Sequence, residues 1–413
     1  MLKALNLIWE EGSRPCNNLF RFIIFIMRNN SVSILCADVS RECLSRALTL
    51  AEILAKKRQV QIVGFARDNF EIWPPANSAD IPIIKLEYGF TLNWHKAKNE
   101  INSIIDQSRL IICKPRLMSM GLALSAGCDP DECILDINDW ELGLSLDSDS
   151  TDGQYKAIEL LGNLFSPNSP LLSLYFESRI KLFPFKIVNN RWLQNRYGGE
   201  LLYDVRDTDA LNPENYDRRN IRKELGLDDR QWLIFAGTPR KYKGVGNLIY
   251  ALERIRGFDA PGLLLCGGAT TSSIDDVVNL ANSVLGNARF KYIPQYDRRD
   301  TGKYLSASDI VCIPALLKSN SVGQVPTKFF EALAMGLPVI TSDICDLPEL
   351  VRDVGVAVPA GDIIALNEAI KILVSNPDLT SRMGKQARLR AVEQYSYRAA
   401  APVIDSLLEK IGS

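Results

Sequence analysis

The 413-residue chain has one histidine, His95. That scarcity argues against a histidine-built metal site, a Ser-His-Asp triad and most histidine general-base schemes. Charge bias is missing too: 48 Lys and Arg stand against 49 Asp and Glu. Dedicated nucleic-acid binders carry a basic excess, so no nucleic-acid partner is expected. No run reaches the roughly 18–20 apolar residues needed to cross a bilayer. The longest near the start, Leu19 to Met27, is short and contains Arg21, with Glu10 and Glu11 upstream where a secretory signal would be positive. Three readings of it stay open: an irregular extension or packed strand, a natural start at Met27, or an aromatic contact with a membrane surface. The nine cysteines are scattered, mostly in apolar runs. They read as reduced core thiols of a cytoplasmic protein. Cys128 and Cys133 lack companions at ligand spacing and Asp136-x-x-Asp139 alone is a weak signal, so no metal site is expected.

What is present is ordinary for a globular protein: 46% hydrophobic and 23% charged residues. The length suggests two domains, each able to bury a full core. From residue 31 short apolar runs alternate with helical periodicity. Val32 to Cys36 reads as a strand. Ser40 to Lys57 follows as a helix, with Ser40 as N-cap and Glu42 favouring the dipole in its first turn. Strands are expected at Val60–Phe65, Ile81–Leu86, Leu110–Cys113, Cys133–Ile137 and from Lys186. Residues 140 to 182 carry no clear period. Leu201–Val205 and the polar stretch to Asn220 read as a connection. A second series starts at Trp232 and ends in helices near 363–375, 378–394 and 397–411. The expected organisation is an extension at 1–30, a domain at 31–205 and another at 206–413 that includes the terminal helices. Alternating strands and helices imply α/β architecture, two doubly wound parallel sheets with a ligand cleft between them.

Three features cluster at strand ends in the second half. Gly237-Thr238-Pro239-Arg240-Lys241-Tyr242-Lys243-Gly244 joins a turn-permitting glycine to concentrated positive charge, as a diphosphate requires. Taken alone it also reads as a solvated basic loop. In the segment from Ser321 to Ile340, Gly323 opens a loop and Pro326 starts a helix whose free N–H groups suit a phosphate. Glu331 lies among Phe329, Phe330 and Ala332 to Ala334, where a carboxylate calls for a specific partner such as a ribose diol. Leu264-Leu265-Cys266-Gly267-Gly268 is a strand ending in a glycine turn.

Together, from Trp232 to Tyr397, these residues resemble the C-terminal domain of the nucleotide-sugar-dependent glycosyltransferases of the family 4, group 1 type. The resemblance rests on Gly-Thr-Pro-Arg-x-x-Lys-Gly at 237–244, Ala-Ser-Asp-Ile-Val-x-Ile-Pro at 307–314, Pro-x-Lys-x-x-Glu-Ala-x-Ala-x-Gly-x-Pro-Val at 326–339 and Val-Gly-Val-Ala-Val-Pro-Ala-Gly-Asp at 354–362. It implies the two-domain GT-B fold with Rossmann-like halves. It also implies a UDP- or GDP-linked sugar as co-substrate, no separate cofactor, and a glycan, lipid-linked or small-molecule acceptor. By the same resemblance Arg240 and Lys243 hold the diphosphate and Glu331 accepts from the ribose. Gly237, Thr238, Gly323, Gln324, Thr327 and Lys328 complete the donor-binding set. The relatives retain anomeric configuration and let the leaving phosphate take the acceptor proton. An inverting reaction would need a first-domain base, for which Asp136 and Asp139, then His95, are the candidates. Two departures stand out. Many relatives carry a glutamate where this chain has Gly323, and the glycine-rich loop after their first strand is here Asp38-Val39-Ser40-Arg41-Glu42-Cys43. A non-catalytic nucleotide-sugar-binding subunit and a nucleotide-sugar epimerase are the alternatives.

Overall fold

The apolar runs become parallel strands because both faces of the central strands are covered, which favours continuous Val, Ile and Leu over alternation. The computed structural model describes residues 30–66, 71–87, 94–146, 169–257, 260–268 and 272–411. The aromatic run at 19–27 and nearly all of the expected extension lie outside them. The first sheet contains β1 (Ser31–Cys36), β2 (Gln59–Ala66), β3 (Ile83–Glu87), β4 (Arg109–Cys113), β5 (Cys133–Ile137), β6 (Lys186–Val188) and β7 (Glu200–Leu201), in the order β3-β2-β1-β4-β5-β6-β7. The second contains β8 (Trp232–Ala236), β9 (Gly262–Cys266), β10 (Phe290–Ile293), β11 (Ile310–Ile313), β12 (Val339–Ser342) and β13 (Gly355–Val358), in the order β10-β9-β8-β11-β12-β13. Strand order reverses between β1 and β4 in one sheet and between β8 and β11 in the other. Those switch points are where doubly wound sheets bind ligands.

Several elements differ from the reading of the sequence. β7 begins where a connection was expected, because Leu201 pairs with Val188. β13 is an added edge strand within 354–362, paired from Gly355 to Val358 with Val339 to Ser342. Cys128 and Cys133 face each other across the turn that leads into β5, with Cα atoms 7.5 Å apart. Helix α1 (Leu44–Ala55) starts four residues later than expected. Ser40 does not cap it; its hydroxyl donates to Asp38 Oδ1 at 2.5 Å. Glu42 therefore lies ahead of the helix, on a loop that leads to the cleft.

The chain crosses between the two units twice, at 202–207 and 395–397. The crossings lie side by side: the Arg206 N–H donates to the Tyr395 carbonyl at 2.9 Å, and the Tyr397 N–H to the Arg206 carbonyl at 3.1 Å. The last helix (Tyr397–Lys410) was expected with the second domain. Instead Tyr397, Ala400, Ile404, Leu407 and Leu408 pack into the core that β1 and α1 build. Its apolar stripe at i, i+3 and i+4 spacing covers a face of the first sheet that would otherwise meet water. No helix among the described residues is long and apolar enough to cross a membrane.

Candidate functional site

Loops leaving β1, β4, β8 and β11 border a cavity of ≈ 1520 Å³ between the two units. On the second-unit side, β8 ends at Ala236 and the chain turns at Gly237, whose φ of +124° disfavours any residue with a Cβ. A Cβ there would also lie 2.8 Å from Lys328 Nζ. Lys328 stands in the first turn of helix α2 (Thr327–Ala334), with Pro326 as the N-cap residue. The Lys328 ammonium is buried 4.0 Å above the centre of the Phe235 ring and finds no hydrogen-bond acceptor among the described residues. Such a group costs free energy that cation–π contact offsets only in part. Burial, reinforced by Lys243, pushes it well below the usual lysine range. Burial, with Arg240 beside it, likewise pushes Lys243 down to about 8.

The opposite wall supplies an anion. Glu42 Oε2 lies 2.7 Å from Arg240 Nη2, and Glu42 Oε1 accepts from the Thr238 hydroxyl at 3.1 Å. Burial opposes ionisation of Glu42, but Arg240 and Lys243 hold its carboxyl below the usual range. A carboxylate of one unit thus occupies the cationic corner of the other.

Further along the cleft, Gln324 Nε2 donates to Asp139 Oδ1 at 2.9 Å. Asp139 is also paired with Lys114. Burial opposes its ionisation, yet Lys114, Arg116 and Gln324 together keep it below the usual range. Glu141 is paired with Lys114 at 3.2 Å and with Arg116. An ion-paired carboxylate that favours its charged form is a poor proton acceptor. Asp136 sits deeper and belongs to the framework: Arg46 forks onto it at 2.8 Å and reaches Asp204 at 3.0 Å. His95 is exposed at the start of the helix Trp94–Gln107 and does not line the cavity.

The remaining members of the set are tied to the first crossing. The Thr327 hydroxyl donates to Asp204 Oδ2 at 2.7 Å, and Glu331 Oε1 pairs with Arg206 Nε at 3.2 Å. Gly323 does not reach the cavity; its carbonyl accepts from Asn190 Nδ2 at 2.9 Å. A Cβ at that position would lie 2.8 Å from Trp140 Cβ and 3.3 Å from the Trp192 ring. The tryptophans, 5.1 Å apart between ring centres, take the room a glutamate would use. Sequence reasoning missed Lys114, Arg116 and Arg206 and gave Glu42 to a helix. The usable signal was Cys113-Lys114-Pro115-Arg116 at the carboxyl end of a predicted strand.

Two doubly wound parallel sheets facing across such a cleft define the GT-B glycosyltransferase fold. Anabaena Alr3699/HepE, solved in complex with UDP and glucose, superposes with a TM-score of 0.69 at 14% identity, covering 92% of this chain and 99% of that one. WaaG, a glycosyltransferase involved in lipopolysaccharide biosynthesis, superposes with a TM-score of 0.63 at 15% identity over 91% and 99%. In sequence, residues 217–390 match the family described as "Glycosyl transferases group 1". The alpha-maltose-1-phosphate synthase of Mycobacterium tuberculosis (strain CDC 1551 / Oshkosh) is 28% identical over 218 residues, which are 50% of this chain and 55% of the relative. The D-inositol 3-phosphate glycosyltransferase of Mycobacterium sp. (strain KMS) is 30% identical over 182 residues, 43% of this chain and 39% of the relative. The match therefore spans about half the length of the curated relatives or less.

Proposed function

We propose that the chain is a glycosyltransferase that moves a sugar from a nucleoside-diphosphate donor, UDP- or GDP-linked, to a glycan, lipid-linked or small-molecule acceptor. The observation that carries this is the buried Lys328 amino group, without a hydrogen-bond acceptor among the described residues, beside Lys243 and Arg240 at the end of β8. Three basic side chains in one corner, one of them with no hydrogen-bond acceptor among the described residues, match a ligand with several adjacent negative oxygens, whose charge favours the protonated lysines. Arg240 offers a planar fork to a phosphate, while Lys243 and Lys328 act as point charges.

In this reading the reaction is of the retaining, family 4 kind. The bond from the anomeric carbon to the β-phosphate oxygen breaks, and its electron pair stays on that oxygen. The acceptor hydroxyl bonds to the same face of the anomeric carbon and passes its proton to the departing phosphate. Arg240, Lys243 and Lys328 stabilise the charge as it develops. No histidine is required, side chains carry the counter-charge in place of a metal ion, and Asp139 orients rather than accepts a proton. Glu331 takes the ribose hydroxyls, and Gln324, Thr238 and the backbone near Gly237 border the phosphates and sugar. The setting is cytoplasmic, with peripheral contact at a membrane face if the acceptor is lipid-linked.

A calorimetric donor panel tests this. Lys243→Ala is expected to weaken all nucleoside diphosphates alike, by about 1.5–3 kcal/mol for one charged hydrogen bond. Equal binding by this variant removes Lys243 from the site, and a chain that neither binds nor turns over any UDP- or GDP-sugar defeats the reading. A binding subunit without catalysis is the rival; turnover by the isolated chain eliminates it.

A further inference from the structure

Glu331, assigned above to the ribose, has one ion-pair partner among the described residues, Arg206. Arg206 lies in the first crossing, away from the motifs that carry the family likeness. Its side chain is buried and reaches both units. Nε holds Glu331 Oε1 at 3.2 Å, while Nη1 donates to the Thr49 hydroxyl at 3.0 Å and to the Val205 carbonyl at 2.8 Å. Thr49 belongs to α1 of the first unit, and its hydroxyl in turn donates to the Ser45 carbonyl at 3.1 Å. The backbone of Arg206 is clamped between Tyr395 and Tyr397. Both ends of this side chain are therefore fixed, and a planar guanidinium so held fixes the carboxylate it touches. Glu331 Oε2 accepts no hydrogen bond from a described residue, and Glu331 lines the cavity.

We propose that Arg206 is a positioning residue for nucleotide recognition. It engages one oxygen of Glu331 and so presents the other to the ribose diol, in a register set by the junction of the two units. This rests on the donor reading above. Arg206 also lines the cavity, but its Nε and Nη1 are committed to Glu331, Thr49 and Val205, so its proposed part is to hold Glu331 and not to bind phosphate. Its loss should therefore show in discrimination at the ribose and not in diphosphate binding.

The experiment measures binding of UDP, GDP, their 2′-deoxy counterparts and inorganic pyrophosphate to the full chain by calorimetry. The proteins are wild type, Arg206→Gln, Arg206→Lys and Thr49→Val. Wild type is expected to prefer the ribonucleotide by about tenfold or more, the worth of a charged hydrogen bond. In Arg206→Gln that ratio should fall to about threefold or less, with pyrophosphate affinity kept within about twofold. Arg206→Lys, which keeps the charge but not the fork, should fall between. Thr49→Val removes one anchor while keeping the guanidinium and should lower the ratio partway; it decides the matter if Arg206→Gln does not fold. An unchanged ratio in the folded variants, or an equal loss for all ligands including pyrophosphate, overturns the proposal while leaving the donor reading intact. Failure of wild type to bind any nucleoside diphosphate defeats the donor reading and this proposal with it.

Discussion

Lys243 and Glu42 show how single side chains set the state of the cleft before any ligand arrives. Diphosphate binding favours the charged form of Lys243, whose value in the free protein is about 8. Below that pH the ammonium is already present and affinity depends little on this group. Above it, each molecule that binds must first take up a proton, so affinity declines as pH rises. Calorimetry at pH 8.5 in two buffers of different ionisation enthalpy should show proton uptake on binding, and Lys243→Ala should reduce it. Equal heats in both buffers for wild type would contradict the assignment. The sign for folding is opposite. The unfolded lysine binds its proton up to its ordinary, higher value, so this group adds stability as pH rises from about 8 through that window.

Glu42 acts on the same corner from the other side. Its pair with Arg240 takes up Nη2 and so competes with a diphosphate for that guanidinium. Both side chains are about half exposed, at 50% and 48%, so the pair is worth only about 0.2–1 kcal/mol. Glu42→Gln is accordingly expected to tighten nucleoside diphosphate binding by about two- to fivefold, with a smaller salt dependence. Weaker binding by this variant would mean that Glu42 supports the donor instead of competing with it.

At the scale of elements, most strands could be read from the sequence because parallel strands covered on both faces leave unbroken apolar runs, as Trp232–Ala236 and Gly262–Cys266 do. The basic loop at 237–244 and the Pro326–Glu331 segment were legible for a related reason: glycine, proline and isolated charges mark strand ends. β7 is only two residues long and carries no period, and the crossing partners Asp204 and Arg206 draw their significance from contacts far away in sequence. Glu42 was misplaced because a helix start read from local preference cannot register a partner 198 positions away. Gly323 belongs to this scale as well. Its substitution by alanine would drive a methyl group to 2.8 Å from Trp140 Cβ, a contact between two packed elements with little room to yield. The expected cost is about 1–3 kcal/mol, read as a lower denaturation midpoint with an unchanged denaturant slope. An unaffected midpoint would show that the Trp140–Trp192 packing adjusts freely.

For the whole molecule, the terminal helix decides how independent the halves are. Residues 377–394 pack on the second unit, and the next helix returns to the first, so the last helix of the chain completes a core begun by its first described strand. Ile404 is fully buried there, among residues of β1 and α1. Lys57 and Arg58 add ion pairs to Asp405 at 3.0 and 3.3 Å, the first through a largely exposed lysine that contributes little and the second part-buried. Ile404→Ala should therefore cost about 2–5 kcal/mol, through lost burial and the cavity left behind. That loss should appear in the first unit, although the substituted residue lies near the end of the chain. Hydrogen exchange locates it: protection should drop across β1, β2 and α1 and persist across β8, β9 and β11. Equal loss in both sheets would mean that the two units unfold as one cooperative body, in which case the paired crossings at Arg206 and Ser396 join them more tightly than two separate cores require.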